Sequence, residues 1–274
     1  MKSAKSAWHV AADYLHGNIK TVLELLNFDQ DIIDVAAGAL RSVQRDLESR
    51  GLHSAVPTLA NRTRMLEQLA TNESLRPRYA TMFNQCVVLL VSYFGSGLHT
   101  IFRVSVAEGL KSGLELPVAI EELKISWRTL ATAPGEREST FGDLLVAQKG
   151  YSFQDMKSTR KAFNDFLLVD VGRGAESENI ILGQAARHAI VHAGAVVDDH
   201  MLKQLSDVKR RTLKAQLSIG DPIRFSTDEV RELAASMVSF VSALTVRLDE
   251  TLVRPVAATD ADDSTVIDEP PSPS

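Results

Sequence analysis

The segment Gln184-Ala-Ala-Arg-His-Ala-Ile-Val-His-Ala-Gly-Ala-Val-Val-Asp-Asp199 crowds titratable side chains into the last turns of an otherwise apolar helical pattern. An imidazole changes charge near neutral pH and can move protons or ligate a metal, whereas a guanidinium stays cationic. His188 and His192 lie at i and i+4, so they share one face of a helix. Arg187 and His192 are about 140° apart around an ideal helix of 3.6 residues per turn, a gap that the long arginine side chain can reach across. Different uses of these residues are open at this point. They can form a reactive centre. They can instead pair with Asp198, Asp199 or helix-terminal carbonyls, since cations are favoured at a helix C-terminus. Or His188 and His192 can hold a transition metal, with Asp198, Asp199 or His200 completing the shell.

The elements that position this segment read as helices. Apolar residues recur at spacings of three and four along most of the chain, and strict alternation is scarce, which predicts an all-α fold. Helical patterns run over Ala7–Leu26, Gln30–Glu48 and Thr58–Leu69, then Arg78–Gly109 and Pro117–Leu130, with a turn at Ala133-Pro134-Gly135. Asp29 is placed to cap the second pattern, and Asn72 or Gly51 to mark helix ends. A further helix starts near Ser139 or Thr140. Another opens at Ser152-Phe153-Gln154-Asp155 and stops before Gly172-Arg173-Gly174. The motif helix begins near Glu176 and ends at Gly194, a C′ glycine. Helices are expected over Val197–Leu217 and Thr227–Val253, the second opened by capping chemistry across Ser226 to Glu229. Trp8, Trp127, Phe153, Phe163 and Phe166 sit in apolar surroundings and read as core.

The 274 residues are about 45% apolar, enough for one large or two modest cores. The division expected is an N-terminal helical region over 1–75, a helical domain over 76–254 and a disordered tail over 255–274. That tail holds Asp260, Asp262, Asp263, Asp268 and Glu269 and no Lys or Arg, so the net charge of −5 resides in it and the body is near neutral. Bulk charge therefore argues against a nucleic-acid binder, and any such role must rest on a local patch. Lys209, Arg210, Arg211 and Lys214 offer one, on the helix expected after the motif. The single cysteine, Cys86, lies in an apolar run and reads as a buried hydrophobe in a reducing cytoplasm. No membrane span and no secretory signal are read from the sequence. Phosphate-loop, zincin, nucleophile-elbow and dinucleotide motifs are absent from it, and no cofactor and no resident metal are implied.

Arg187-His-Ala-Ile-Val-His-Ala-Gly-Ala-Val-Val-Asp198 resembles the Arg-polar-x3-His motif, a form of Arg-x4-6-His, of the HEPN (higher eukaryotes and prokaryotes nucleotide-binding) superfamily. Gln85-Cys-Val-Val-Leu-Leu-Val-Ser-Tyr-Phe94 is similar to that family's first bundle helix, and Tyr151-Ser-Phe-Gln-Asp-Met-Lys157 to the approach to its motif helix. The resemblance covers about residues 78–220. It departs from the family after the Ser92-Tyr93 pair, where many relatives carry an acidic residue and this chain has Gly95 and Ser96.

The resemblance implies a HEPN-like helical bundle acting as a metal-independent endoribonuclease, a homodimer in which two motif helices face each other across one composite cleft. Cleaving RNA through its own 2′-hydroxyl needs a group near neutral pKa to move protons and a fixed cation at the phosphate. On this reading His192 supplies the first, Arg187 the second, and His188 orients the phosphate or shares proton transfer. The four basic residues of the patch would meet the RNA backbone. HEPN proteins recur in toxin–antitoxin and anti-phage systems, which implies an antitoxin or regulatory partner. The acidic tail is also placed to mimic RNA and occupy a basic site. The alternative is a non-catalytic HEPN-like module that binds nucleotide or RNA, or assembles with a partner, through the same cleft.

Overall fold

Trp8, Ala11, Ala12, Leu15, Ile19, Val22 and Leu26 recur every three or four residues, and that spacing gathers them into one apolar stripe on a helix. In the computed structural model, which describes residues 5–71, 79–112 and 137–253, they are the buried face of α1 (Ala7–Ser49). The other helices are α2 (Val56–Thr71), α3 (Tyr79–Lys111), α4 (Arg137–Lys149), α5 (Met156–Leu167), α6 (Ala175–His192), α7 (Asp199–Gln204) and α8 (Thr227–Leu252). The fold is all-α. Among the described residues the nearest thing to a strand is one isolated antiparallel bridge between Val196 and Pro222.

The central element is α3, which packs against α1, α4, α5, α6 and α8. Its Cys86, Val87, Leu90, Val91, Phe94, Leu98, Ile101, Phe102 and Val106 are fully buried. Burial also pushes the Cys86 thiol above its usual range, so it stays protonated and inert. Phe102 gathers Phe153, Phe163 and Phe166 around it with ring centroids 5.4, 5.5 and 5.9 Å away. Such pairs contribute about 0.5–1.5 kcal/mol each beyond their buried area, and here they seat α5 on α3. Among the described residues α3 alone is long and apolar enough to cross a membrane, with a mean hydropathy of 1.5; 44% of that window is buried among the other helices.

Helix ends follow local chemistry where side chains can cap them. The carboxylate of Asp155 accepts the backbone N–H groups of Lys157 and Ser158, and that of Asp198 accepts Met201 N–H at 2.8 Å. Ser226 and Glu229 form a reciprocal capping box at the start of α8.

The structure corrects several sequence expectations. The patterns at 7–26 and 30–48 are one uninterrupted helix, because nothing between Asn27 and Gln30 forbids helical backbone. The first half of α1 belongs to the same apolar cluster as α3, α5, α6 and α8. Trp8 Nε1 donates to Asp249 of α8 at 2.9 Å. These contacts join the first half of α1 to helices that follow residue 79. Residues 197–217 contain only the six-residue α7 and otherwise turns. Asn179, buried on α6, holds that segment open: its Oδ1 accepts the backbone N–H groups of Thr212 and Leu213, and its Nδ2 donates to Thr212 Oγ1 and Ser236 Oγ. The expected helix at 117–130, the turn at 133–135, Asn72, Trp127 and the tail from 255 lie outside the described residues.

Candidate active site

The motif helix α6 divides its residues cleanly between two faces. Ile180, Leu182, Ala185, Ala186 and Ala189 are buried toward α3 and α8. Glu178, Ile181, Gln184, Arg187 and His188 recur at helical spacing on the other side and form one wall of a cleft of about 610 Å³. Glu176 and Glu178 in the first turn suit the positive end of the helix dipole. The far end stops where Gly194 takes φ 64°, a left-handed conformation open to glycine without steric cost. Ala195 follows at φ 59°, and its N–H reaches back to the carbonyl of Ala189 at 3.1 Å.

The facing walls come from three other places: Gln154 to Arg160 at the start of α5, Arg173 in the turn before α6, and Gln204, Asp207 and Val208 after α7. Gln184 joins the first two walls, its Oε1 accepting Met156 N–H at 3.1 Å. Its Nε2 is buried and has no partner, and the Nε atoms of Arg160 and Arg187 are in the same condition. The guanidinium of Arg160 also donates to Ser177 Oγ. Burial, and then the neighbouring charge of Arg173, hold the Arg160 pKa below its ordinary value. Lys157, Arg160, Arg173 and Arg187 share the lining of this space with Asp155, Glu178 and Asp207. Two of those carboxylates already have backbone partners: Asp155 caps α5, and Glu178 accepts the N–H of Arg210.

The three residues expected at the reactive centre are placed differently. Arg187 and His188 line the cleft. His192, one turn on, is exposed at the helix end, and its ring lies 4.9 Å from that of His188. The ring of His200 also lies close to His188, at 4.8 Å. His188, in the cleft wall, thus touches two exposed imidazoles. Asp198 is taken by the cap of α7. Among the described residues no group of three or more His, Cys, Asp or Glu side chains is arranged to hold a metal.

The basic patch does not lie on a helix. Lys214 is turned inward, at φ 45°, onto both carboxylate oxygens of Glu229 at 3.0 and 3.1 Å and over the ring of Phe225. Arg211 donates to the carbonyls of Val208, Lys214 and Ala215 and so braces its own loop. Arg210 reaches the carbonyl of Arg173, and Lys209 is exposed.

Sequence reasoning missed Lys157, Arg160, Arg173 and Gln184. The signal for the first two was present in Asp155-Met-Lys-Ser-Thr-Arg160, an N-cap followed by cations at i and i+3 on one face. Arg173 is brought in only by the tertiary fold. No family model, no curated protein and no solved structure matches this chain.

Proposed function

We propose that this protein is a metal-independent endoribonuclease of HEPN type, with Arg187, His188 and His192 at its centre. One observation carries the reading: Arg187 and His188 open onto a cation-rich cleft, and His188 is in ring contact with His192. Arg187 is placed to hold a phosphate oxygen, and an imidazole beside it is suited to take the 2′-hydroxyl proton and return one to the leaving oxygen. Because the attack uses the 2′-hydroxyl, DNA would remain uncut. Of the basic patch, Lys209 and Arg210 keep side chains available to RNA, whereas Lys214 and Arg211 serve the fold.

His192 stands outside the cleft wall with Val191, 49% exposed, beside it. This suits a composite centre in which a second protomer packs on the end of α6 and encloses His192. On this reading the protein is cytoplasmic, and a regulatory or antitoxin-like protein restrains it. The same exposure favours a second reading, a module that binds RNA or nucleotide in the cleft without turnover.

Purified wild type and His192→Ala, incubated with total RNA and tRNA in EDTA and mapped at the cut ends, decide between them. Ends carrying 2′,3′-cyclic phosphate and 5′-hydroxyl, lost in the variant, establish the nuclease. Binding without cleavage by a folded, dimeric wild type establishes the module.

A further inference from the structure

The cleft onto which Arg187 and His188 open is lined also by Arg160, Arg173 and Gln184. Arg160 Nε, Arg187 Nε and Gln184 Nε2 are all donors, all buried and all without a partner. A buried donor left unsatisfied costs about 1–3 kcal/mol, so several around one cavity mark a place for an acceptor-rich guest. The charge of Arg173 also disfavours that of Arg160, a repulsion that an anion beside both would relieve.

We propose that Arg160, Arg173 and Gln184 form a phosphate subsite that holds a phosphodiester of a single RNA strand, at least one nucleotide along from the bond presented to Arg187, His188 and His192. This rests on the ribonuclease reading and adds a second phosphate position to it. Charge selects the diester. Four cations against three carboxylates leave the cleft with a single net positive charge, which disfavours a triphosphate against the lower charge of diesters. Size agrees, because about 610 Å³ is the space of a nucleotide-sized guest, within the range of ordinary ligand sites, and far more than a free phosphate ion fills.

The test is fluorescence anisotropy of a labelled short 2′-O-methyl oligouridylate, which cannot be cut, in EDTA. Wild type, Arg173→Ala, Arg160→Lys and Lys20→Ala are compared, with folding checked by circular dichroism. Arg173 is exposed and Lys20 lies on α1 away from the cleft, so these two variants remain informative if Arg160→Lys unfolds. Loss of a charge-assisted phosphate contact predicts about a tenfold rise in Kd for Arg173→Ala, with a shallower salt dependence, and no change for Lys20→Ala. Wild-type affinity in Arg173→Ala, or a wild type that ignores the oligonucleotide, overturns the subsite. So does stronger competition by ATP or inorganic phosphate than by unlabelled oligonucleotide. If wild type cuts no RNA yet Arg173→Ala still binds tenfold more weakly, the subsite stands and the ribonuclease reading alone fails.

Discussion

Gln184 on the motif helix accepts the backbone N–H of Met156, the first residue of α5, at 3.1 Å, while its own amide N–H₂ is buried without a partner. One side chain thus fastens two walls of the cleft with its oxygen and, in the proposed subsite, would offer its nitrogen to a guest. The two roles are separable by substitution. Gln184→Glu keeps the acceptor for Met156 and replaces the donor with a negative charge. It should fold with near wild-type stability and bind the oligonucleotide at least tenfold more weakly, about 1.4 kcal/mol. Gln184→Leu leaves the Met156 N–H unpaired and should lose about 1–3 kcal/mol in urea unfolding. Equal stability of the two variants would show that the Met156 bond contributes nothing.

Two glycines in long helices should respond to alanine with opposite sign. A Cβ on Gly95 of α3 would lie 2.9 Å from the carbonyl oxygen of Phe153 and against the Gln154 side chain. Gly95→Ala should therefore destabilise by about 1–3 kcal/mol, as overpacking does. Gly17 of α1 meets nothing within 4 Å, so Gly17→Ala should stabilise by about 0.5–1 kcal/mol. Chemical denaturation of both decides it. The same contact explains why no acidic side chain stands at position 95: the loop leading into α5 fills that space.

Lys214→Met should weaken the fold and leave RNA affinity unchanged. The ammonium bonds both oxygens of Glu229, donates to the carbonyl of Arg224 at 2.6 Å and is 13% exposed. Losing it should cost about 1–3 kcal/mol, the scale of a hydrogen-bonded charge in partial burial. Lys209→Ala should do the reverse, with stability unchanged and weaker, less salt-sensitive oligonucleotide binding.

Tyr151 should ionise late. Its hydroxyl donates to Asp165 at 2.5 Å. Burial first, then this bond and the carboxylate charge, push the phenol from 10 to about 12. The folded protein holds that proton more tightly than the unfolded chain, so the associated stability is present below pH 10 and is lost as pH rises toward about 12. An ultraviolet phenolate titration should show one of the four tyrosines lagging, and Tyr151→Phe should abolish the lag. A wild type without a late step would contradict the assignment.

What could be read in advance depended on how local its cause was. The motif helix, its glycine end and the Ser226–Glu229 cap arise within a few residues of sequence, and they stand where spacing placed them. The stretch from Met201 to Leu217 has leucines at near-helical spacing and many good helix formers, yet Asn179, more than thirty residues earlier, takes its amide hydrogens and opens it. The inner cleft was illegible for a related reason. Arg160 and Arg173 become a pair only when α5 and the turn before α6 meet, and nothing in the order of residues announces that meeting. The joining of the first two helical patterns into α1 was missed because Asn27 to Gln30 look like a break when judged by composition alone.

The bond between Trp8 and Asp249 has a consequence for timing. On the ribosome, residue 8 emerges long before residue 249, and at about 5–20 residues per second the wait is on the order of ten seconds or more. Until α8 arrives, α1 and α3 lack a covering helix and α6 lacks the surface its alanine face packs on. A partly made chain therefore cannot assemble the cleft. For a protein proposed to cut RNA, the order of synthesis is itself a safeguard: the nascent chain remains harmless to the message that encodes it until α8 has been made.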